Sequence, residues 1–205
     1  MNNIQTKGLL LTLIALFTLQ FSYSQGYKVG DKASGFNLLN VDGNMVSDEQ
    51  YADAKGFIVI FTCNHCPFSV AYEDRIIAID KKYKKLGYPV IAINPNDSIE
   101  APADSYSKMI IRSEEKGFTF PYLLDADQSL TKTYGATRTP HVFILKKNDN
   151  DLLVEYIGAI DDNHEDAAAV KKKFLEDAVD SLLKGDKPEV DFTKAIGCSV
   201  KFAKL

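Results

Sequence analysis

Cysteine is scarce. The 205 residues contain three, Cys63, Cys66 and Cys198, too few for a scaffold stapled by disulfides. Positive charge is concentrated nowhere and the formal net charge is −4, which argues against a nucleic-acid partner. There is no internal repeat and no low-complexity segment, so solenoids and linker arrays are excluded. The longest uncharged apolar run, Gly8 to Phe21, falls short of the roughly 20 residues that span a bilayer comfortably. Pro67 follows Cys66 where a c-type haem needs histidine. Besides Cys198, the other soft ligands are His65, His141 and His164, with no second pair at zinc spacing. No resident metal or cofactor is therefore expected.

What is present reads as a folded globular chain. Hydrophobic residues make up 45% and charged residues 25%, and the length suits one domain with a full core. Residues 1–24 read as an export signal. Lys7 supplies positive charge, Gly8–Phe21 the apolar stretch, and Ser22 and Ser24 the small residues a signal peptidase reads, leaving Gln25 as the new N-terminus. An uncleaved anchor is the alternative. No cysteine lies near the cleavage point, which excludes a bacterial lipid anchor there. The expected location is periplasmic or extracellular, where disulfides persist, with no stable membrane anchor once the signal is removed.

The pattern along the chain alternates. Phe36–Leu39 is a short strand candidate, and Asp42-Gly43-Asn44 a turn. Gly56–Phe61 is an apolar run fitting a central strand covered on both faces. Tyr72, Ile76, Ile79, Tyr83 and Leu86 then recur at helical spacing, closed by Gly87. Pro89–Asn94 is a strand, and Asp104 or Ser105 could cap a helix running to Gly117. Tyr122–Leu124 is a strand, and Leu130–Tyr134 a helical turn or two. His141–Leu145 and Leu152–Ile157 make a hairpin across Asn148-Asp149-Asn150-Asp151, with a loop longer than two residues. Glu165–Lys184 is the clearest helix, ended by Gly185 and Pro188. This order implies an α/β fold of thioredoxin-like architecture, with a central mixed sheet flanked by helices.

Cys63 and Cys66 sit where a buried strand turns into a helix. Free N–H groups and the positive end of the helix dipole stabilise a thiolate there, the reactive form of cysteine. Cys63 is expected nearer the surface as the attacking thiol, and Cys66, one turn on, as the resolving thiol. Between them, a protonated His65 would favour the reduced pair. Thr139-Pro140 precedes the hairpin; with a cis bond, Thr139 can present its backbone to an extended chain beside the disulfide. A structural disulfide and a Cu(I) site of Cys63, Cys66 and His141 are the other readings. Glu73 is retained as a proton acceptor near the resolving thiol, against a solvated role. Asn94 and Asn96 are placed at the site entrance, and Asp161-Asp162 before the last helix as cap or loop.

Several segments together resemble the peroxiredoxin-like branch of the alkyl hydroperoxide reductase/thiol-specific antioxidant (redoxin) families, within the thioredoxin superfamily. They are Phe61-Thr-Cys-Asn-His-Cys-Pro-Phe68, Ile93-Asn-Pro-Asn-Asp97, Thr139-Pro-His-Val-Phe143, Gly158-Ala-Ile-Asp-Asp-Asn163 and Gly197-Cys-Ser-Val-Lys-Phe202. The resemblance spans nearly all of residues 28–202. It implies extra N-terminal strands and an insertion after the active-site helix. In true peroxiredoxins threonine stands three residues before the peroxidatic cysteine and proline seven before. Matched to Cys66, those places hold Cys63 and Val59, which favours dithiol exchange over peroxide reduction.

The reading is thus a signal at 1–24, a redoxin domain at 25–186 and a tail at 187–205 packed on it. The activity expected is thiol–disulfide exchange through Cys63 and Cys66, with a redox partner protein or a small thiol or disulfide. Asn64, His65, Pro67, Thr139 and Pro140 would meet the substrate. Arg138, Glu73 and Cys198 are accessory candidates, Cys198 more readily as a small buried residue than as a third exchanging thiol. The alternatives are a thiol peroxidase, with Cys66 peroxidatic and Cys63 or Cys198 resolving, and a Cu(I)-binding chaperone.

Overall fold

The computed structural model describes residues 26–149 and 151–204, so the export signal read at 1–24 lies outside the described residues. Three short strands come first: β1 (Lys32–Ala33), β2 (Asn37–Asn40) and β3 (Met45–Ser47). Then follow β4 (Gly56–Phe61), helix α1 (Pro67–Tyr83), β5 (Val90–Asn94), α2 (Tyr106–Lys116), β6 (Tyr122–Leu124) and α3 (Ser129–Tyr134). The chain ends with β7 (Arg138–Thr139), β8 (His141–Asn148), β9 (Asp151–Gly158), α4 (Phe174–Lys184) and β10 (Cys198–Ser199).

Eight strands form one mixed sheet in the order β1-β9-β8-β4-β5-β6-β2-β3. β4, β5 and β6 run parallel, while β8 and β9 add antiparallel strands on the other side of β4. A parallel pair needs a crossover, and α1 and α2 supply them. β4 lies at the centre with every residue buried, which explains its unbroken apolar sequence. Its side chains alternate: Ile58 and Ile60 face α1, α2 and α4, while Phe57, Val59 and Phe61 face α3 and the N-terminal strands. This is the thioredoxin-like architecture that the pattern predicts.

Tyr72, Ile76, Ile79 and Tyr83 of α1 are all buried, each worth roughly 1.5–3 kcal/mol of apolar burial. Leu86 departs from that expectation. It lies in the short 3₁₀ turn after α1 and is 40% exposed. Gly87 then takes the left-handed conformation that ends the segment.

The last helix is shorter than its periodicity suggests. Residues 165–173 are not α-helical; they contain a single 3₁₀ turn at Ala167–Ala169, and α4 begins at Phe174. Local side chains compete with the helix there: Asp166 accepts from the Ala168 N–H and Asp162 from the Lys171 N–H. The β8–β9 hairpin is tighter than expected, since Asn148 pairs directly with Asp151 and Asp149 takes a positive φ of 53°. Neither Asp104 nor Ser105 caps α2 with its side chain.

Residues 192–203 lie along the domain. Phe192 bridges Ile157, β10 pairs antiparallel with β7, and the Asp97 N–H bonds the Lys201 carbonyl at 2.9 Å.

Candidate redox site

β4 and β8 are neighbours in the sheet, and Phe61 is paired with His141. That register brings the residues after β4 beside those before β8. Cys63-Asn64-His65-Cys66 therefore faces Thr139-Pro140, whose peptide bond is cis. Cys66 is the N-cap of α1 and Pro67 its first residue, where a missing N–H is harmless.

The three cysteines do not pair as their spacing suggests. Cys66 is bonded to Cys198 of β10 across a sequence separation of 132, with a Cα–Cα distance of 6.0 Å, and Cys63 is a free thiol. The expectation of Cys198 as an unpaired buried residue is thus corrected. β10 is held against β7, with Cys198 opposite Thr139, and that register carries the third sulfur to the helix start.

Cys63 is also not the surface thiol expected. It is 3% exposed, with Sγ 3.4 Å from Thr139 Oγ1. Burial pushes its pKa up and the charge of Asp104 pushes it further. Hydrogen bonds with Thr139, the Cys66 backbone and Ser69 act the other way without reversing the result. Cys66 is fully buried, its Sγ 3.2 Å from the Thr139 carbonyl oxygen. All three sulfurs therefore meet around one residue, Thr139.

Asp104 is the residue of this site that sequence reading missed. Its carboxylate is fully buried and accepts from the Asn64 N–H at 2.8 Å, from Asn96 Nδ2 at 2.6 Å and from His65 Nδ1 at 2.6 Å. Asn94 Nδ2 donates to the Asp104 carbonyl at 2.8 Å. Asn94 and Asn96 therefore hold Asp104 from inside rather than lining an entrance. The Asn64 side chain donates to the Ala103 carbonyl and accepts from the Tyr122 hydroxyl. Both residues between the cysteines are thus fastened to the segment before α2. The available signal was Asn-Pro-Asn-Asp at 94–97, a run of polar residues directly after a buried strand.

Other candidates lie elsewhere. Glu73 is buried and paired with Arg112 through two 2.7 Å hydrogen bonds and with Lys116 at 3.4 Å. This ion-pair cluster between α1 and α2 replaces both the proton-acceptor role and the solvated one. Arg138 is exposed and reaches the Gly197 carbonyl and Ser199 Oγ of the tail, the latter at 2.9 Å. Asp161 accepts from Tyr72 and Arg75 of α1 and so fixes the loop after β9. His141 is buried and its pKa is pushed down to about 4, so it is neutral at pH 7. The Cu(I) trio is not assembled, because Cys66 is engaged with Cys198. Among the described residues, Cys63, His65 and Asp104 do bring possible ligand atoms within 4.8 Å of one another. The donors already on Asp104 account for that closeness without an ion. Among the described residues no helix is long and apolar enough to cross a membrane.

Residues 28–172 match the family model described as Redoxin. A thiol-disulfide oxidoreductase ResA from Geobacillus kaustophilus (strain HTA426) is 26% identical over 153 residues, covering 71% of this chain and 82% of that protein. The crystal structure of an uncharacterized conserved protein from Geobacillus kaustophilus superposes with a TM-score of 0.79 at 34% identity, covering 86% of this chain and 93% of that one. A hypothetical protein from Sinorhizobium meliloti 1021 gives a TM-score of 0.79 at 31% identity, covering 87% and 96%.

Proposed function

The chain belongs to the redoxin family, and from that premise we propose that it is an exported thiol–disulfide oxidoreductase in which Cys66 is the central sulfur. The observation carrying this reading is the meeting of a free thiol, Cys63, and a disulfide, Cys66–Cys198, around Thr139. Cys66 can be bonded to Cys198, as here, or to Cys63, as a Cys-x-x-Cys spacing allows. Cys63 thiolate attacks Cys66, the Cys63–Cys66 bond forms, and Cys198 leaves as thiolate and takes up a proton. The disulfide moves and no electrons are gained or lost. The Cys63–Cys66 pair then exchanges with a thiol of a partner protein or a small molecule.

His65 and Asn64 serve by position, since Asp104 fixes both between the two thiols. The redoxin domain at 25–186, the tail at 187–205 and removal of the signal at 1–24 belong to the same proposal. Cys66→Ser should abolish reduction of a model mixed disulfide, while Cys63→Ser combined with Cys198→Ser should stop at a mixed disulfide on Cys66. Wild-type turnover by Cys66→Ser removes the assignment. N-terminal sequencing of exported protein should begin at Gln25; a chain kept whole inside the cell overturns export.

One observation favours a second reading. A Cys66–Cys198 disulfide is also what peroxide would leave if Cys66 were oxidised to a sulfenic acid and Cys198 condensed with it, releasing water. Stopped-flow oxidation of the reduced protein by hydrogen peroxide separates the two. A rate no faster than that of a free thiol excludes the peroxidase.

A further inference from the structure

The tail is held at the redox site mainly through its backbone. The Val200 N–H donates to the Thr137 carbonyl, and the Lys201 N–H to Asn96 Oδ1 at 2.8 Å. Gln128 Nε2 donates to the Lys201 carbonyl at 2.9 Å, and its Oε1 accepts from the Ala203 N–H at 2.9 Å. These contacts read an extended main chain and not its sequence. Three positions do demand particular side chains. Cys198 is bonded to Cys66. A Cβ at Gly197 would run into the Thr139 carbonyl oxygen. Val200 is buried, whereas Ser199, Lys201 and Phe202 are exposed.

Resting on the exchange reading above, we propose that this groove is a docking site for an extended polypeptide of pattern Gly-Cys-x-apolar, occupied here by the C-terminal segment as a tethered substrate mimic. Opening the Cys66–Cys198 bond leaves the tail held on β7 and its neighbours by hydrogen bonds alone, which a partner of the same pattern can displace. Cys66 thiolate attacks the sulfur of the partner's cysteine within a disulfide. The Cys66–partner bond forms, and the partner's other sulfur leaves as thiolate and takes a proton. Cys63 then attacks Cys66, forming Cys63–Cys66 and releasing the partner's thiol. Two electrons pass from the Cys63/Cys66 dithiol to the partner's disulfide.

The test uses the full chain with Cys198→Ser, reduced, and the blocked peptide Gly-Cys-Ser-Val-Lys-Phe as its mixed disulfide with 5-thio-2-nitrobenzoate. Release of the yellow thiolate gives the rate. Conjugates of the peptides carrying Ala for Gly, or Asp for Val, and of glutathione serve for comparison, each normalised to its rate with a simple thiol. The Gly-Cys-Ser-Val conjugate should react about tenfold faster or more than the Ala and Asp forms, as a steric or desolvation penalty of that size implies. Equal rates for all conjugates, glutathione included, overturn the docking site and leave the exchange reading standing. Release no faster than with a free thiol from every conjugate overturns both. A second variant gives an independent measurement: adding Val200→Asp to Cys198→Ser weakens the tail's own hold on the groove and should make the Gly-Cys-Ser-Val conjugate react faster still. An unchanged or slower rate in that variant overturns the mimic.

Discussion

Opening the Cys66–Cys198 disulfide should remove a large part of the stability. The bond spans a sequence separation of 132. In the chain-entropy account a loop of that size restricts the unfolded chain by about 5 kcal/mol, and loss of a native disulfide is measured at about 2–5 kcal/mol. The folded state changes much less, because the tail keeps its hydrogen bonds at residues 96, 97, 128 and 137. The measurement is urea unfolding of the wild-type chain with and without reductant. With a slope of about 2 kcal/mol per molar urea, a loss of about 3–5 kcal/mol lowers the midpoint by about 1.5–2.5 M. Cys198→Ser should unfold at the lower midpoint in both conditions, whereas Cys63→Ser should keep the reductant-sensitive behaviour. Mass spectrometry establishes that the bond is present before reduction and broken after it. A wild-type midpoint unmoved by that cleavage would refute the reasoning, since the link would then place no constraint on the unfolded chain.

Three further outcomes are expected. Asp104→Asn removes the buried charge that helps push the Cys63 thiol up, so alkylation of the oxidised protein's one free thiol should occur at lower pH; a profile unmoved or shifted upward contradicts this. Glu73→Gln leaves Arg112 and Lys116 without their buried partner and should cost about 2–3 kcal/mol in denaturant unfolding, against no loss for a surface pair. His141 titrates at about 4 when folded and near 6.5 when unfolded, so the unfolded chain binds the extra proton between those values. Its contribution is intact above pH 6.5 and lost as pH falls towards 4, about 3 kcal/mol in full, and His141→Phe should flatten that part of the stability curve. Equal slopes in the two proteins would dismiss the assignment.

Features encoded locally were legible in the sequence. A buried apolar run, a Cys-x-x-Cys after it and Thr139-Pro140 before a hairpin are each readable within about ten residues. They sufficed for a buried central strand in a mixed sheet and for setting Thr139 beside the cysteine pair. Asp104 was not legible, because its importance lies in contacts with Asn64 and His65 some 40 positions back. Read alone, it looks like a helix cap. The partner of Cys66 was hidden for the same reason, since only the pairing of β10 with β7 brings Cys198 near. The start of α4 was misread by its own periodicity. Val170 continues the apolar spacing, but Asp162 and Asp166 capture backbone N–H groups just before the helix.

The ladder between β4 and β8 runs without interruption from Gly56 opposite Lys146 to Phe61 opposite His141. A slip of one residue would turn every side chain of a strand to the wrong face, so the alignment is fixed with the core itself. The register that sets the cysteine segment beside Thr139 is therefore all or nothing. A substitution that breaks the alternation of either strand costs that register together with the fold. Intermediate tuning is left to side chains outside those strands, such as Asp104 and His65.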